Sequence, residues 1–340
     1  MLCPSSQHPM VRSFRFMLAR LLLLAVAFTL EACDGGESPL APANEPAAPA
    51  PAPSEAAAPA DAVAALTAQR IAFTSYANWR GDIYLMDAQG NNRTALTTWA
   101  NTEFAPSWSW DHKHVALVRP RVDAANAQFY DIFLIDADGT HKHWAKSYTS
   151  SFHIMDPSWS PDGSRLVVTV TLQGTPYIAT LELATGTLAL VSQVGGGFMQ
   201  GGDPSYDPTG QKILYVGSTG TTVDMVIPGS WHYGLVVSDT PVSGPTYSPD
   251  GKKIAYSRVV TGTNNSEIFV ETLNAPGAKR LTNSGAYDGG PTWSPDGSQI
   301  AFTSERSGRP QIWTMSSSTG GNLLRITHSA RDEVDPAWSH

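Results

Sequence analysis

The sequence predicts an all-β fold, a six-bladed β-propeller of four-stranded blades, and three observations carry that reading. A short phrase recurs six times, as Pro106-Ser107-Trp108-Ser109, Pro157-Ser158-Trp159-Ser160, Pro204-Ser205-Tyr206-Asp207, Pro245-Thr246-Tyr247-Ser248, Pro291-Thr292-Trp293-Ser294 and Pro336-Ala337-Trp338-Ser339. Its prolines are 51, 47, 41, 46 and 45 residues apart, a period that fits one four-stranded blade per repeat. Between the phrases, β-branched and aromatic residues alternate with period two and are bounded by Gly, Pro, Asp and Ser, as strands and turns are.

The repeat at Pro291 spells out one blade. Thr292-Trp293-Ser294 is a short first strand, and Pro295-Asp296-Gly297 is a turn whose Gly takes the φ > 0 position. Gln299 to Ser304 alternates as the second strand. Gly308 and Pro310 break the chain before Gln311 to Met315, the third. Thr319-Gly320-Gly321 turns again, and Leu324 to Thr327 is the fourth. The other repeats match part by part. The first turn returns as Pro161-Asp162-Gly163, Pro208-Thr209-Gly210 and Pro249-Asp250-Gly251, and in altered form as Trp110-Asp111-His112. Second strands return as Ile71 to Ser75, Val115 to Val118, Leu166 to Thr169, Ile213 to Val216 and Ile254 to Ser257. Third strands return as Asp82 to Asp87, Asp131 to Asp136 and Glu267 to Glu271. The repeat from Pro204 is the least regular after Gly217.

The first repeat begins at its second strand, and the sixth phrase has no strands behind it. The phrase at Pro336 is therefore expected to complete the blade begun by residues 70 to 98, closing the ring and leaving no open edge between blades. The anchor Trp and Tyr residues are expected to pack between neighbouring blades. This grammar of Pro-x-Trp-Ser-Pro-Asp-Gly, Ile-Ala-Phe-x-Ser and Ile-Tyr-x-Met resembles the TolB-type propeller family over residues 70 to 340. The resemblance implies the fold. The family's namesake carries a small α/β domain ahead of its propeller and is a soluble periplasmic protein; residues 1 to 69 hold nothing that could be that domain.

Residues 1–33 read as a signal segment, with Met10 the more natural start. Arg12, Arg15 and Arg20 precede the apolar run Leu21 to Leu30, which is too short to span a bilayer. The segment ends Leu30-Glu31-Ala32-Cys33, which resembles a bacterial lipobox and implies lipidation of Cys33; ordinary cleavage with Cys33 incidental is the alternative. Residues 34–68 form an Ala/Pro-rich tether that cannot bury a core, and residues 69–340 form the propeller. Removing the signal deletes Cys3 and leaves one cysteine, so no disulfide and no cysteine zinc site is expected. The net charge of −8 argues against nucleic acid or anionic lipid headgroups as partners.

A serine hydrolase would need a Gly-x-Ser-x-Gly elbow, and Pro228-Gly229-Ser230-Trp231-His232-Tyr233-Gly234 has the wrong spacing. The pairs His112/His114 and His141/His143 each put two imidazoles on one face if extended, although both fall at turns and read better as surface residues. His153 and His232 are the other histidines of interest.

The strongest functional pattern is acidic. Asp156, Asp203 and Asp335 precede an anchor proline by one residue, and Glu103, Asp288 and Glu333 precede it by three. In an extended strand these offsets share a face, so the acids would gather at one mouth of the central channel. Such a rim would attract a cation such as calcium, or Lys and Arg side chains of a partner. The competing reading has each Asp shaping its own turn. The expectation is an exported, lipid-anchored monomer, a non-catalytic module binding an envelope protein or peptide, with no cofactor beyond that cation. It would face the periplasm or the cell surface. A metal-dependent enzyme cleaving polysaccharide or peptide in the channel, and a purely structural envelope spacer, are the alternatives.

Overall fold

The computed structural model describes residues 70–122, 128–145, 152–194, 196–275 and 277–339. They form six four-stranded antiparallel sheets. Blade 1 contains β1 (Arg70–Ala77), β2 (Arg80–Asp87) and β3 (Thr94–Ala95), and its inner strand is β24 (Asp332–Trp338). Blade 2 runs β4 (Phe104–Trp108), β5 (His114–Val122), β6 (Gln128–Asp136) and β7 (His143–Trp144). Blade 3 runs β8 (His153–Trp159), β9 (Arg165–Leu172), β10 (Thr175–Glu182) and β11 (Thr187–Leu190). Blade 4 runs β12 (Gly201–Tyr206), β13 (Ile213–Gly217), β14 (Thr222–Val226) and β15 (His232–Val237). Blade 5 runs β16 (Val242–Tyr247), β17 (Lys253–Val259), β18 (Ser266–Thr272) and β19 (Lys279–Arg280). Blade 6 runs β20 (Asp288–Trp293), β21 (Gln299–Ser304), β22 (Gln311–Ser316) and β23 (Leu324–Arg325).

The ring closes as the sequence implies. Strand β24 pairs antiparallel with β1, with Trp338 opposite Ile71 and Val334 opposite Thr74. Each inner strand touches the inner strands of both neighbours, β24 meeting β20 on one side and β4 on the other. Most outer strands are short. Four of them, β3, β7, β19 and β23, have only two residues, and the predicted strand from Leu324 to Thr327 stops at Arg325. The cause is Thr327, whose Oγ1 accepts the Ile312 amide (2.8 Å) and carries the chain off the edge toward the next blade.

The cores lie between blades. Six apolar clusters form, each filled by one anchor aromatic: Trp108, Trp159, Tyr206, Tyr247, Trp293 and Trp338. All six are 6% exposed or less. Burying rings of this size supplies much of the hydrophobic stabilisation of such a fold. Polar stitches add direction. Trp159 Nε1 donates to the Ser107 carbonyl (3.1 Å) and Trp293 Nε1 to the Thr246 carbonyl (3.4 Å), in each case across to the preceding blade.

Candidate functional site

The six inner strands all start at one end of the ring, the leading mouth, and the acids singled out by the sequence sit there. Each strand carries a β-bulge at its proline. In every blade two residues, the proline and the one before it, face a single residue of the second strand. Proline has no N–H to give to the ladder, so a bulge is where it fits. The residue before it is left-handed in all six blades: Ala105 (φ 50°), Asp156 (52°), Asp203 (50°), Gly244 (56°), Gly290 (61°) and Asp335 (52°). Gly adopts this conformation without strain and Asp more readily than most residues. The aspartates at this position therefore have a backbone reason to be there.

This geometry corrects the expectation that acids one and three residues before the proline share a face. A left-handed residue reverses the local strand twist, and the two sets part company. Asp156, Asp203 and Asp335 are half-buried. Asp203 reaches the adjacent blade, where its Oδ2 accepts the Gly244 amide (3.0 Å), and the Asp335 amide donates to Thr303 Oγ1 (3.1 Å). Glu103, Asp288 and Glu333 are instead 0% exposed.

The three buried acids lie on consecutive blades, 6, 1 and 2, and each has an arginine. Arg306 Nη2 is 2.6 Å from Asp288, Arg119 Nε is 3.4 Å from Glu103, and Arg93 pairs with Glu333. Serines add to two of them: Ser284 Oγ donates to Asp288 (3.1 Å) and Ser329 Oγ to Glu333 (2.7 Å). Each guanidinium also lies against rings. Arg119 is 4.3 Å from the Trp99 centroid and 5.1 Å from that of Phe133, Arg93 is 4.3 Å from Tyr84, and Arg306 is 5.1 Å from Trp313. An ion pair stacked on aromatic faces is a rigid unit. On blades 3, 4 and 5 the same position is held by Ile154, Gly201 and Val242, all buried. At this one position the ring is acidic on blades 6, 1 and 2 and uncharged on blades 3, 4 and 5.

Burial has electrostatic consequences. Desolvation pushes the Glu103 carboxyl up to about 7, with Arg119 pulling it back in part. Asp288 is pushed up to about 6 by the same cause, against Ser304 and Arg306. A signal for this trio was present in the sequence and missed: a threonine stands six residues before each acid, as Thr97, Thr282 and Thr327. Each accepts a third-strand amide, from Ile83, Ile268 and Ile312 (2.8, 2.9 and 2.8 Å), and so sets the path by which the chain delivers the acid.

The histidines assemble differently from either pair taken alone. His114 Nδ1 and His141 Nδ1 lie 2.6 Å from opposite oxygens of Asp136, and His143 Nδ1 lies 2.9 Å from the His141 carbonyl. His153 stacks near Phe129 and Tyr130, and His232 is 3.8 Å from Asp224. Among the described residues no group of three or more His, Cys, Asp or Glu side chains is arranged to hold a metal ion. A cleft of about 330 Å³ opens between blades 5 and 6, lined by Asp250, Lys253, Trp293 and Asp296. It lies beyond the far ends of the inner strands, away from the leading mouth. Cys33, the signal segment and the tether lie outside the described residues.

Comparison with known proteins places this architecture. The Tol-Pal system protein TolB of Francisella tularensis is 30% identical over 193 residues, which cover 57% of this chain and 34% of that protein. The Protein TolB homolog of Chlorobium chlorochromatii is 31% identical over 136 residues, 37% of this chain and 28% of that one. The chain therefore spans about a third of the length of the curated relatives it matches. The crystal structure of TolB from Acinetobacter baumannii superposes with a TM-score of 0.63 at 21% identity, covering 79% of this chain and 66% of that one. The family model described as the TolB beta propeller domain matches residues 64–228 and 235–340. With nearly all of the propeller inside that match, this chain belongs to the TolB beta propeller domain family.

Proposed function

We propose that this chain is an exported, lipid-anchored and non-catalytic propeller of the bacterial cell envelope that holds a protein or peptide at the leading mouth of its ring. The observation that carries the reading is the set Asp156, Asp203 and Asp335, three half-buried carboxylates at equivalent points of the inner strands of blades 3, 4 and 1. Carboxylates placed alike around one mouth add their fields, which suits Lys and Arg side chains of a partner. Glu103, Asp288 and Glu333 support the mouth from beneath, each committed to an arginine. The relatives named as Tol-Pal system proteins support an envelope setting. Export and anchoring rest on the basic and apolar residues before Cys33, the lipobox-like Leu30 to Cys33, and the tether that follows.

The test is capture from an envelope extract by the full chain, with Asp156, Asp203 and Asp335 all changed to Asn. Asparagine also tolerates the left-handed conformation and keeps an acceptor for the Gly244 amide, so charge is removed with the bulges intact. Capture lost at an unchanged unfolding temperature is the expected result. The same partners retained by the triple variant would overturn the reading.

A further inference from the structure

The blade 3–4 side of the ring differs from the rest in a way the leading mouth does not explain. After β11 the chain leaves blade 3 in an excursion held at its base by the Tyr177–Gln200 and Ser192–Phe198 bridges. Its tip leans on the turn between β14 and β15: the Val194 amide donates to the Ser230 carbonyl (2.9 Å) and the Gly229 amide to the Ser192 carbonyl (2.9 Å). These two adjoining tips expose Val194 (61%), Phe198 (53%), Trp231 (64%) and Tyr233 (48%). Trp231 and Tyr233 lie between the two stretches matched by the family model, 64–228 and 235–340. The edge is unusual too, because β15 has six residues where four other outer strands have two.

Charge says what this patch suits. No Asp, Glu, Lys or Arg occurs from Leu183 to Gly202, nor from Met225 to Ser238, in a chain of net charge −8. A partner drawn by that charge would find nothing to bind here. The boundary of a bilayer, in contrast, takes up Trp, Tyr and Phe side chains at headgroup depth, and such a contact needs no formal charge on the protein. We infer that these two tips form a membrane-contacting patch that rests Phe198, Trp231 and their neighbours on the headgroup boundary of a phospholipid bilayer. The inference draws on the lipid-anchor reading only for proximity. Thirty-six residues separate Cys33 from Arg70, a reach of up to roughly 110 Å when extended. A domain of this size is roughly 50 Å across. Blade 4, on the far side of the ring from β1, can therefore lie on the membrane that holds Cys33. An acyl anchor and a weak aromatic contact then act as two linked signals.

The test is cosedimentation of the chain from Asp34 to His340, free of both the apolar signal run and any acyl contribution, with phosphatidylcholine vesicles and with vesicles also containing phosphatidylglycerol. The expected result is partition onto both, not strengthened by the anionic lipid and not weakened by added salt. In Phe198→Ser/Trp231→Ser the partition coefficient should fall about tenfold or more, with an unchanged unfolding midpoint. No partition by the parent, equal partition by the double variant, or dependence on anionic lipid would each overturn the patch. So would light scattering that shows a dimer abolished by the double variant, which would assign the tips to a second copy of the chain. Failure here leaves the anchor reading standing, since that is judged separately by release of Cys33→Ser from cell membranes.

Discussion

Glu103→Gln probes what it costs this ring to keep a carboxylate between blades 1 and 2. The Glu103 side chain is 0% exposed and 3.4 Å from Arg119, and burial raises its pKa from 4.5 to about 7. The folded protein therefore binds a proton that the unfolded chain has released, over the window between those two values. Stability from this group is fullest below the unfolded value, declines as pH rises through the window, and levels off above about 7. Linkage puts the loss between about pH 5 and about pH 7.5 at roughly 2 kcal/mol, or about 5 °C in unfolding temperature for a domain of this size. Asp288, raised to about 6, slopes the same way. Glutamine has no proton to release, and Arg119 retains the faces of Trp99 and Phe133. His153, whose pKa burial lowers, slopes the other way below about 6.5, so the readout is the difference between the two proteins: urea unfolding across that range should show the stability of wild type relative to Glu103→Gln falling as pH rises. A difference that stays constant or grows with pH would refute the assignment.

Two further substitutions test the backbone. Ala105 is the one residue among the six bulge positions that is neither Gly nor Asp, yet its φ is 50°. Ala105→Gly should stabilise by up to about 1 kcal/mol, and Gly290→Ala, at φ 61° with open space around its Cβ, should destabilise by a similar amount; chemical denaturation reads both. Gly90→Ala should be far worse. Its φ is 85° and a Cβ there would meet the Ile326 backbone carbonyl of the neighbouring blade at 2.0 Å. A loss of about 3 kcal/mol or more is expected in the same measurement.

Much of the fold was legible because each blade encodes itself locally. Pro, Gly and Asp mark turns through their own φ preferences, alternation marks strands, and the anchor aromatic recurs at the blade period. The charged half of the mouth was only half legible. The positions of Glu103, Asp288 and Glu333 could be read off, as could the threonine six residues before each. Arg119 and Arg306 follow their acids by less than a blade length, but Arg93 reaches Glu333 from 240 residues away, and no spacing rule leads to it. The outer strand expected from Leu324 to Thr327 ends at Arg325 because Thr327 captures the Ile312 amide.

The sequence by itself determined the number of blades, the residues between them and the strand that closes the ring, since repeats and turn chemistry are properties of neighbours along the chain. Only the tertiary structure decided how the acids and the exposed aromatic residues are arranged. The positive φ before each proline leaves Asp156, Asp203 and Asp335 half-buried, while Glu103, Asp288 and Glu333 are buried against arginines. Two backbone hydrogen bonds between residues far apart in sequence bring Val194 and Trp231 onto adjoining tips. Contacts of that kind depend on which segments the closed ring brings side by side, and local preference carries no record of them.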